Sequence, residues 1–473
     1  MTALPESAAS SASLDLGDIQ GMALRPYRFP FGVHLLMRIT DETATRLWLG
    51  SIGGRITTVS AVDAQPQHAI NIGLSWQGLK ALGMPESSLQ SFPEAFRQGM
   101  AARAARLGDV GDSAPERWDA PFGSRDVHIL VTVSGVTEES RATEEQRLLS
   151  GLASPGSPAV IYRQAVALLP DADGRRVPVE HFGYRDGIGQ PSIEGSGIEA
   201  VPGQGTAGGG GVWHRLKAGE FVLGYPDETG ELPASPSPGI LGANGTYLVL
   251  RKLHQHVRRF RDWVGAAAGD GGPELLMARI MGRWRSGAPL ALTPEHDDLT
   301  IAADGVRNNN FSYAEDLRGL ACPVGSHIRR MNPRAGLPGT SGAPVNRHRV
   351  LRQGLPYGNR LDEGKDDDGA ERGAVIVLIN ADIARQFEFV QKVWINDGDF
   401  AGLSAEKDPL IGSNDGTGSF TVPRRGAPRQ RLTGLPAFVS TRGGEYFFLP
   451  GLRALNYLAS AESAAPPGPE RSS

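Results

Sequence analysis

Between Tyr27 and Pro170 the sequence alternates apolar and amphipathic stretches in a fixed order, and this order limits the fold more than any other feature. Four stretches have the length and apolar content of strands, and two have helical periodicity. The predicted strands are Phe31–Ile39, Ala69–Leu74, Val127–Val133 and Val160–Leu169, and the predicted helices are Asp41–Leu49, capped by Asp41, and Glu138–Leu152. Strand, helix, strand, strand, helix, strand is the split βαβ order of a ferredoxin-like unit, an antiparallel sheet with helices on one side.

A second, looser version of this pattern follows. Its predicted strands are Thr246–Arg251, Ala374–Ile379 and Glu445–Leu449, and its helices are His254–Ala268, Asp382–Val393 and Leu452–Leu458. We therefore predict an α+β fold of tandem ferredoxin-like units, with an N-terminal domain at residues 14–180 and a C-terminal domain at 246–460. Connecting loops occupy 181–245. Residues 1–13 and 461–473 are small, polar and proline-rich, which predicts disordered tails.

Charge and cysteine content exclude several kinds of partner and site. The 48 Lys and Arg residues against 52 Asp and Glu give a net charge of −4, so no basic field gathers nucleic acid or anionic lipid. The single cysteine, Cys322, excludes a disulfide framework and a multi-cysteine metal site. The sequence contains neither a signal-peptide pattern nor an apolar run of bilayer-spanning length. We expect a soluble cytoplasmic protein without nucleic-acid or membrane partners.

Three segments carry the residues with catalytic chemistry. HFGYRDGIGQP, from His181 to Pro191, places Asp186 among glycines and aromatics, where a turn role is the simplest interpretation. CPVGSHIRRMNPR, from Cys322 to Arg334, places His327 beside arginines, which by itself indicates a basic surface or a phosphate site. In the third segment Arg352 stands at the end of a short extended run and before a turn, from which its side chain could project into a cavity.

Taken in order, these segments resemble the dye-decolourising peroxidase family of haem proteins. The matching motifs are GxxDG at Gly183–Gly187, a CPxGxHIRRxNPR-like segment at Cys322–Arg334 and an LRxGxPYG-like segment at Leu351–Gly358. Further similar stretches, among them residues 18–21, 27–30, 91–109, 385–391 and 441–455, extend the resemblance across nearly the whole chain. The resemblance implies one haem b per chain, bound in the C-terminal unit. It also implies that His327 is the axial ligand of the iron and that Asp186 and Arg352 form the catalytic pair.

The resemblance implies an enzyme that heterolyses hydrogen peroxide and oxidises dyes, phenolics or other aromatic reductants by one-electron steps. An ionised carboxylate accepts and returns a proton, and a permanent guanidinium cation stabilises the departing hydroxide. Because an aspartate base stays ionised in acid, we expect a pH optimum around ~4 to 5. The alternative is a haem-binding or haem-handling protein of the same fold with little peroxidase activity. The sequence leaves the oligomeric state open.

Other residues are expected around the haem. Arg329, Arg330, Arg334 and Arg349 are candidates for binding the haem propionates, although at least two of them are expected to make only surface or structural ion pairs. Val377 and Ile379 are expected to wall the cavity from one strand, with plain sheet core as the alternative. Asp415 is the first candidate for the carboxylate that hydrogen-bonds the other ring nitrogen of His327, and Asp408 is the second. Cys322 is an alternative axial ligand.

Overall fold

The computed structural model describes residues 13–62, 64–207, 212–269, 271–337 and 343–460. The tails predicted at residues 1–13 and 461–473 lie outside these ranges except for Ser13. The strands are β1 Phe31–Arg38, β2 His68–Leu74, β3 Ile129–Gly135, β4 Ala159–Ala167, β5 Leu169–Pro170, β6 Arg176–Val177, β7 Thr206–Ala207, β8 Trp213–His214, β9 Thr246–Gln255, β10 Leu351–Tyr357, β11 Gly373–Asn380, β12 Gly418–Val422, β13 Gln430–Leu435 and β14 Val439–Leu449.

Most helices are short. The α-helices are α1 Glu42–Ile52, α2 Val59–Val62, α3 Trp76–Ala81, α4 Glu86–Ser91, α5 Glu94–Gln98, α6 Ala104–Leu107, α7 Glu138–Ser150, α8 Gly239–Gly242, α9 Val257–Ala267, α10 Gly272–Met281, α11 Leu299–Ala303, α12 His327–Met331, α13 Ala343–Asn346 and α14 Leu452–Ala459. The helix expected at Asp382–Val393 is instead π-helical, at Ala384–Glu388 and Val390–Ile395. Short 3-10 turns join many of these elements.

The first half forms a four-stranded antiparallel sheet in the spatial order β4-β1-β3-β2. Helix α1 begins where expected, because the Asp41 carboxylate accepts a hydrogen bond from the Ala44 amide at 2.8 Å. Helix α7 begins with a capping box formed by Thr137 and Ser140. Both helices pack their buried faces against the apolar residues of the sheet. This is the ferredoxin-like arrangement that the strand and helix order predicts.

The second half repeats the same spatial order, with β14-β9-β11-β10 as its antiparallel sheet. The first, second, third and fourth strand of each half therefore occupy equivalent places. Residues 256–350 separate the first strand of this unit from the second and carry α12, and the hairpin of β12 and β13 precedes the last strand. The predicted fold class, tandem ferredoxin-like units, is confirmed.

The two four-stranded sheets join into one eight-stranded sheet through β14 and β2, where Phe448 pairs with Leu74. A Cβ on the neighbouring Gly73 would lie 2.9 Å from both Leu449 Cδ1 and Phe447 Cβ, so only glycine fits at this junction. The edge strands β4 and β10 approach each other with Cα atoms within 8 Å. The sheet therefore closes into a barrel around the largest apolar core.

Side-chain alternation on the strands of the second unit separates this core from a cavity outside it. Val375, Val377 and Ile379 of β11 point into the core together with residues of β1, β2 and β3. The intervening residues Ala374, Ile376 and Leu378 line the cavity. The outer face of the second sheet is thus one wall of the cavity.

Among the described residues, we find no helix with the length and apolar content needed to span a bilayer.

Candidate active site

A cavity of about 860 Å³ lies against the outer face of the second sheet. Strand pairing aligns Ile376 with Arg251 and Ala374 with Leu253, so side chains from adjacent strands share this face. The residues that the sheet contributes are Arg251, Leu253, Gln255, Arg352, Ala374, Ile376, Leu378, Val439 and Thr441. Further parts of the lining come from helix α12, residues 407–416, the loop 184–189, the segment 108–113 of the first unit and residues within 281–349 around Arg283, Arg334 and Arg349. Both halves of the chain therefore build the cavity.

Asp186 and Arg352 meet at this cavity although 166 positions separate them. Arg352 Nη1 donates to Asp186 Oδ2 at 3.0 Å, and Nη2 donates to Oδ1, which makes the pair bidentate. Arg352 is the second residue of β10 and not, as expected, the end of an extended run. Gln190 connects the loop to this strand, because its side-chain amide exchanges two hydrogen bonds with the backbone of Arg352.

The environment of Asp186 favours its ionised form. Burial opposes ionisation, but the charge and hydrogen bonds of Arg352 and the N–H of Gly187, 2.7 Å from Oδ1, outweigh it. Together they hold the pKa of Asp186 below its ordinary value. The charge of Asp186 in turn raises the pKa of Arg352. At this site a carboxylate base and a fixed cation therefore coexist down to acidic pH.

His327 is the first residue of α12, and its ring also faces the cavity. Its Nδ1 lies 3.0 Å from Oδ2 of Asp408. Because a carboxylate can only accept, the Nδ1–H of His327 donates to Asp408. Nε2 has no hydrogen-bond partner within the described ranges. The geometry thus leaves Nε2 as the ring nitrogen that can bind a metal ion.

Asp408, and not Asp415, is the partner of His327, so the first candidate was wrong. Asp408 is completely buried, and its Oδ1 accepts from the amides of Leu410 and Ile411 at 2.9 Å each. Burial opposes its ionisation, but His327 and Arg330 outweigh this effect and lower the pKa of Asp408. Asp415 is exposed and accepts from the amide and hydroxyl of Thr417 in a local turn.

Five arginines at the cavity lack a carboxylate partner in the part of the chain that is described. Arg185 and Arg259 are exposed, whereas Arg283, Arg334 and Arg349 are not. Arg283 donates to the carbonyls of Gly287 and Asn308 and to the amide oxygen of Asn309. Arg334 donates to two carbonyls and stacks on Phe311, with its guanidinium carbon 3.8 Å from the ring centre. Burial lowers the pKa of Arg349 to about 10. Such a cluster favours a bound anion.

Two of the four expected arginine contacts with a cofactor were wrong. Arg329 and Arg330 are buried away from the cavity. Arg329 donates to the Asp316 carboxylate and to the carbonyls of Asp316 and Cys322. Arg330 donates to the carbonyls of Gly325, Trp394 and Glu406. These guanidinium groups join loops around α12. Arg329 makes a structural ion pair of the kind expected for at least two members of the set, whereas Arg330 binds only carbonyls in the described part of the chain.

The expected wall contacts of Val377 and Ile379 were also wrong, because both side chains point into the barrel core. The alternative, in which both residues belong to the sheet core, is observed, and the neighbouring residues of β11 face the cavity.

Cys322 is completely buried in a separate apolar cluster and does not line the cavity. Burial raises the pKa of its thiol to about 11, so a thiolate ligand is disfavoured.

Several cavity residues escaped the sequence analysis. Arg283 stands in GRWR without a motif to mark it, and Gln255 is the last residue of a strand. Gln190 does not line the cavity but connects its loop to β10, and it had a signal in the sequence, since it lies three positions after the GxxDG motif. Glu180 immediately precedes the quoted stretch and also lines the cavity.

Haem is a flat, largely apolar macrocycle with an axial position on its iron and two carboxylates. Each of these properties has a counterpart here: apolar walls from Leu253, Ile376 and Leu378, the Nε2 of His327, and the unpaired arginine cluster. The residues therefore fit the group. The chain is a haem protein built on an α+β barrel.

Comparison with known proteins gives the family. Residues 18–163 match the family described as the DyP dimeric alpha+beta barrel domain. A dye-decolorizing peroxidase of Mycetinis scorodonius is 33% identical over 96% of this chain and 89% of its own length. The structure of an ancestral D-type dye decolorizing peroxidase, 30% identical, superimposes with a TM-score of 0.82 over 95% of this chain and 100% of its own. The structure of a dye-decolorizing peroxidase in complex with 2,6-dimethoxyphenol is 29% identical. It superimposes with a TM-score of 0.79 over 96% of this chain and 100% of its own.

The chain belongs to the dye-decolorizing peroxidase family and is a haem peroxidase. The expected enzyme class is confirmed.

The His327–Asp408 contact gives a prediction for stability. Asp408→Ala should lower the free energy of unfolding by about 2 to 4 kcal/mol, because it leaves the Leu410 and Ile411 amides and the His327 ring without their acceptor. Urea denaturation of the haem-free protein at pH 7 measures this loss. Asp415→Ala, the matched control, should change the free energy by less than about 1 kcal/mol. Equal losses in both variants would contradict the assignment of Asp408.

Proposed function

We propose that the enzyme binds one haem b per chain in the described cavity and that Asp186 and Arg352 cleave hydrogen peroxide there. The observation that carries this proposal is the bidentate Asp186–Arg352 pair, which faces the same cavity as Nε2 of His327. Most of the lining comes from residues 246–460, so the C-terminal domain is proposed as the haem-binding one. Residues 14–180 form the other domain, and 181–245 are the connecting loops that carry Asp186.

His327 is proposed as the residue that would hold the haem iron, through Nε2. Its Nδ1–H donates to Asp408, which fixes the ring orientation and increases the electron density on Nε2. Asp408 holds this position firmly because two backbone amides bind its other oxygen. A histidine supported by a buried carboxylate is a stronger electron donor than a histidine alone.

The haem propionates are proposed to bind at the cluster of Arg283, Arg334 and Arg349. Guanidinium groups bind carboxylates through charge-assisted hydrogen bonds. Among the described residues this end of the cavity supplies cations but no carboxylate within ion-pair distance. Two propionates would remove most of the repulsion among the three arginines. Arg334 and Arg349 thereby keep the role expected for them, and Arg283 joins them.

The chemical work of the protein residues is the movement of one proton. With haem bound, Asp186 would take a proton from one peroxide oxygen, and the O–O bond would then break with both electrons on the other oxygen. Arg352 stabilises the negative charge that grows on this leaving oxygen. Asp186 returns its proton to the leaving oxygen, which departs as water. The bound haem supplies the two electrons that this cleavage consumes, and two one-electron reductants restore them.

Aromatic reductants, dyes and phenolics among them, are proposed as the donors. The relative solved with 2,6-dimethoxyphenol supports this class. The match to peroxidases over nearly the whole chain favours turnover rather than haem handling as the function.

Removing either member of the catalytic pair tests the function. Asp186→Asn and Arg352→Leu should each lower kcat/KM for hydrogen peroxide by about 10² to 10⁴, since each removes general acid–base or electrostatic stabilisation. Stopped-flow and steady-state assays on haem-loaded protein measure the loss. An unchanged Soret absorbance shows that the haem remains bound. Full activity in Asp186→Asn would contradict the proposal.

The acid side of the pH profile tests the ionisation of Asp186. Because its pKa is lowered, Asp186 remains a base below the ordinary value of ~3.9, and activity is lost only as the pH falls further. The optimum should lie at about pH 4 to 5. A profile of kcat/KM for peroxide between pH 3 and 9 checks this expectation. An acid limb near ~6.5 would indicate a histidine base instead.

Arg349→Gln separates cofactor binding from stability. Loss of one charge-assisted hydrogen bond should weaken haem binding about 10-fold to 100-fold. The haem-free variant should be no less stable than the unmodified protein, because a buried cation without a counter-charge is removed. Haem transfer to an excess of scavenger protein and thermal unfolding measure the two effects. Arg259→Gln, an exposed arginine of the same cavity, is the control and should leave haem binding nearly unchanged.

A further inference from the structure

Glu180 occupies the inside of the turn that leads to Asp186. Its Oε2 accepts from the Phe182 amide and its Oε1 from the Tyr184 amide, both at 2.9 Å. The backbone closes the same turn, since the Glu180 amide donates to the Tyr184 carbonyl at 3.0 Å and the Asp186 amide donates to the Pro178 carbonyl at 2.8 Å. One carboxyl group thus binds both amides that would otherwise be unpaired just before the catalytic aspartate.

Gln255 connects this turn to the sheet. Its side-chain nitrogen donates to Oε2 of Glu180 from the end of β9. The other end of the same amide, Oε1, is buried and lacks a hydrogen-bond partner within the described ranges. If Glu180 is protonated, a half-turn of this amide brings an acceptor to its O–H. The site can therefore satisfy both charge states of Glu180.

The charged groups around Glu180 belong to the catalytic pair. In the described part of the chain no Lys, Arg or His forms an ion pair with it. Asp186 acts on it through like charge, and Glu180 in turn acts on Arg352 across the cavity. Tyr184 lies beside it on the same turn, while Arg285 on the far side of Tyr184 is paired with Glu274 and Glu363. Ionisation of Glu180 thus adds a second negative charge within the field of Arg352.

We propose that Glu180 is a positioning residue for Asp186 and that its charge state sets how strongly Arg352 stabilises the leaving oxygen. This inference rests on the proposed roles of Asp186 and Arg352. With neutral Glu180, Asp186 and Arg352 have no net charge, and negative charge can grow on the departing oxygen. Ionised Glu180 opposes that growth and slows peroxide cleavage.

The direction of the pH effect follows from the burial of Glu180. Burial raises its pKa to about 7, although the two amides and Gln255 favour the charged form. The two carboxyl groups at this cavity therefore have widely separated pKa values. The pKa of Asp186 lies below its ordinary value, and the pKa of Glu180 lies well above its own. Activity should fall as the pH rises through about 7, and this fall is the alkaline limb of the profile.

Glu180→Gln tests the inference on haem-loaded protein, because glutamine keeps the shape of the side chain but cannot ionise. The alkaline limb of kcat/KM for peroxide should move up by about one pH unit or more. Relative to pH 5, the activity at pH 8 should then be about tenfold higher than in the unmodified enzyme. A lower activity at every pH with an unchanged limb would show a purely structural role and would overturn the proposal.

Glu445→Gln is the matched control. Glu445 is another glutamate whose pKa is raised to about 7 by burial, and it binds the Met100 and Tyr446 amides without lining the cavity. A glutamate whose pKa is raised in the folded protein makes that protein less stable as the pH rises through this pKa. Both variants should therefore flatten the decrease in thermal stability between pH 5 and 8. Only Glu180→Gln should move the activity limb, and a shift in Glu445→Gln would overturn the assignment.

If Glu180→Gln folds poorly, a second variant tests the same inference. Gln255→Met removes the donor to Oε2 and should raise the pKa of Glu180, so the limb should again move to higher pH. Asp186→Asn separates the two proposals. If it keeps full activity, the proposed function fails. If it is inactive while both other variants retain the wild-type limb, only the role of Glu180 fails.

Discussion

The second four-stranded sheet must bury both of its faces, and the rest of the molecule is arranged to meet that requirement. One face closes the barrel core against the first unit. The other face is covered by α12, residues 407–416 and the loop with Asp186, which leave a cofactor-sized cavity between themselves and the sheet. The barrel core thus supplies the rigidity that a binding site needs, and the covering segments supply its polar groups.

Periodicity was sufficient to predict the repeated fold but not the face of each strand. The order of strands and helices identified both ferredoxin-like units, since each element shows its own apolar period. On β11 every residue from Ala374 to Ile379 is apolar, so the sequence contains no alternation that separates core from cavity. Val377 and Ile379 were therefore assigned to the wrong face. The hairpin of β12 and β13 was missed because its residues alternate too weakly to stand out.

In the site, likewise, some residues are predicted by a sequence motif, whereas others are identified only by their distances in the structure. Asp186, His327 and Arg352 stand in ordered motifs, and all three face one cavity. The four arginines near His327 look equivalent in sequence, yet Arg329 and Arg330 bind loop carbonyls while Arg334 and Arg349 reach the cavity. Asp408 and Asp415 differ by seven positions, and only burial distinguishes the buried acceptor from the turn residue.

The position of β14 has a consequence for the order of biosynthesis. This strand is encoded near the end of the chain but lies between β9 and β2 in the middle of the sheet. The first unit can pair its own four strands early, whereas the second lacks its fourth strand, and the hydrogen-bonded junction with the first, until residues 439–449 have been synthesised. A chain that stops before β14 would lack both this junction and the Val439 and Thr441 side chains that line the cavity.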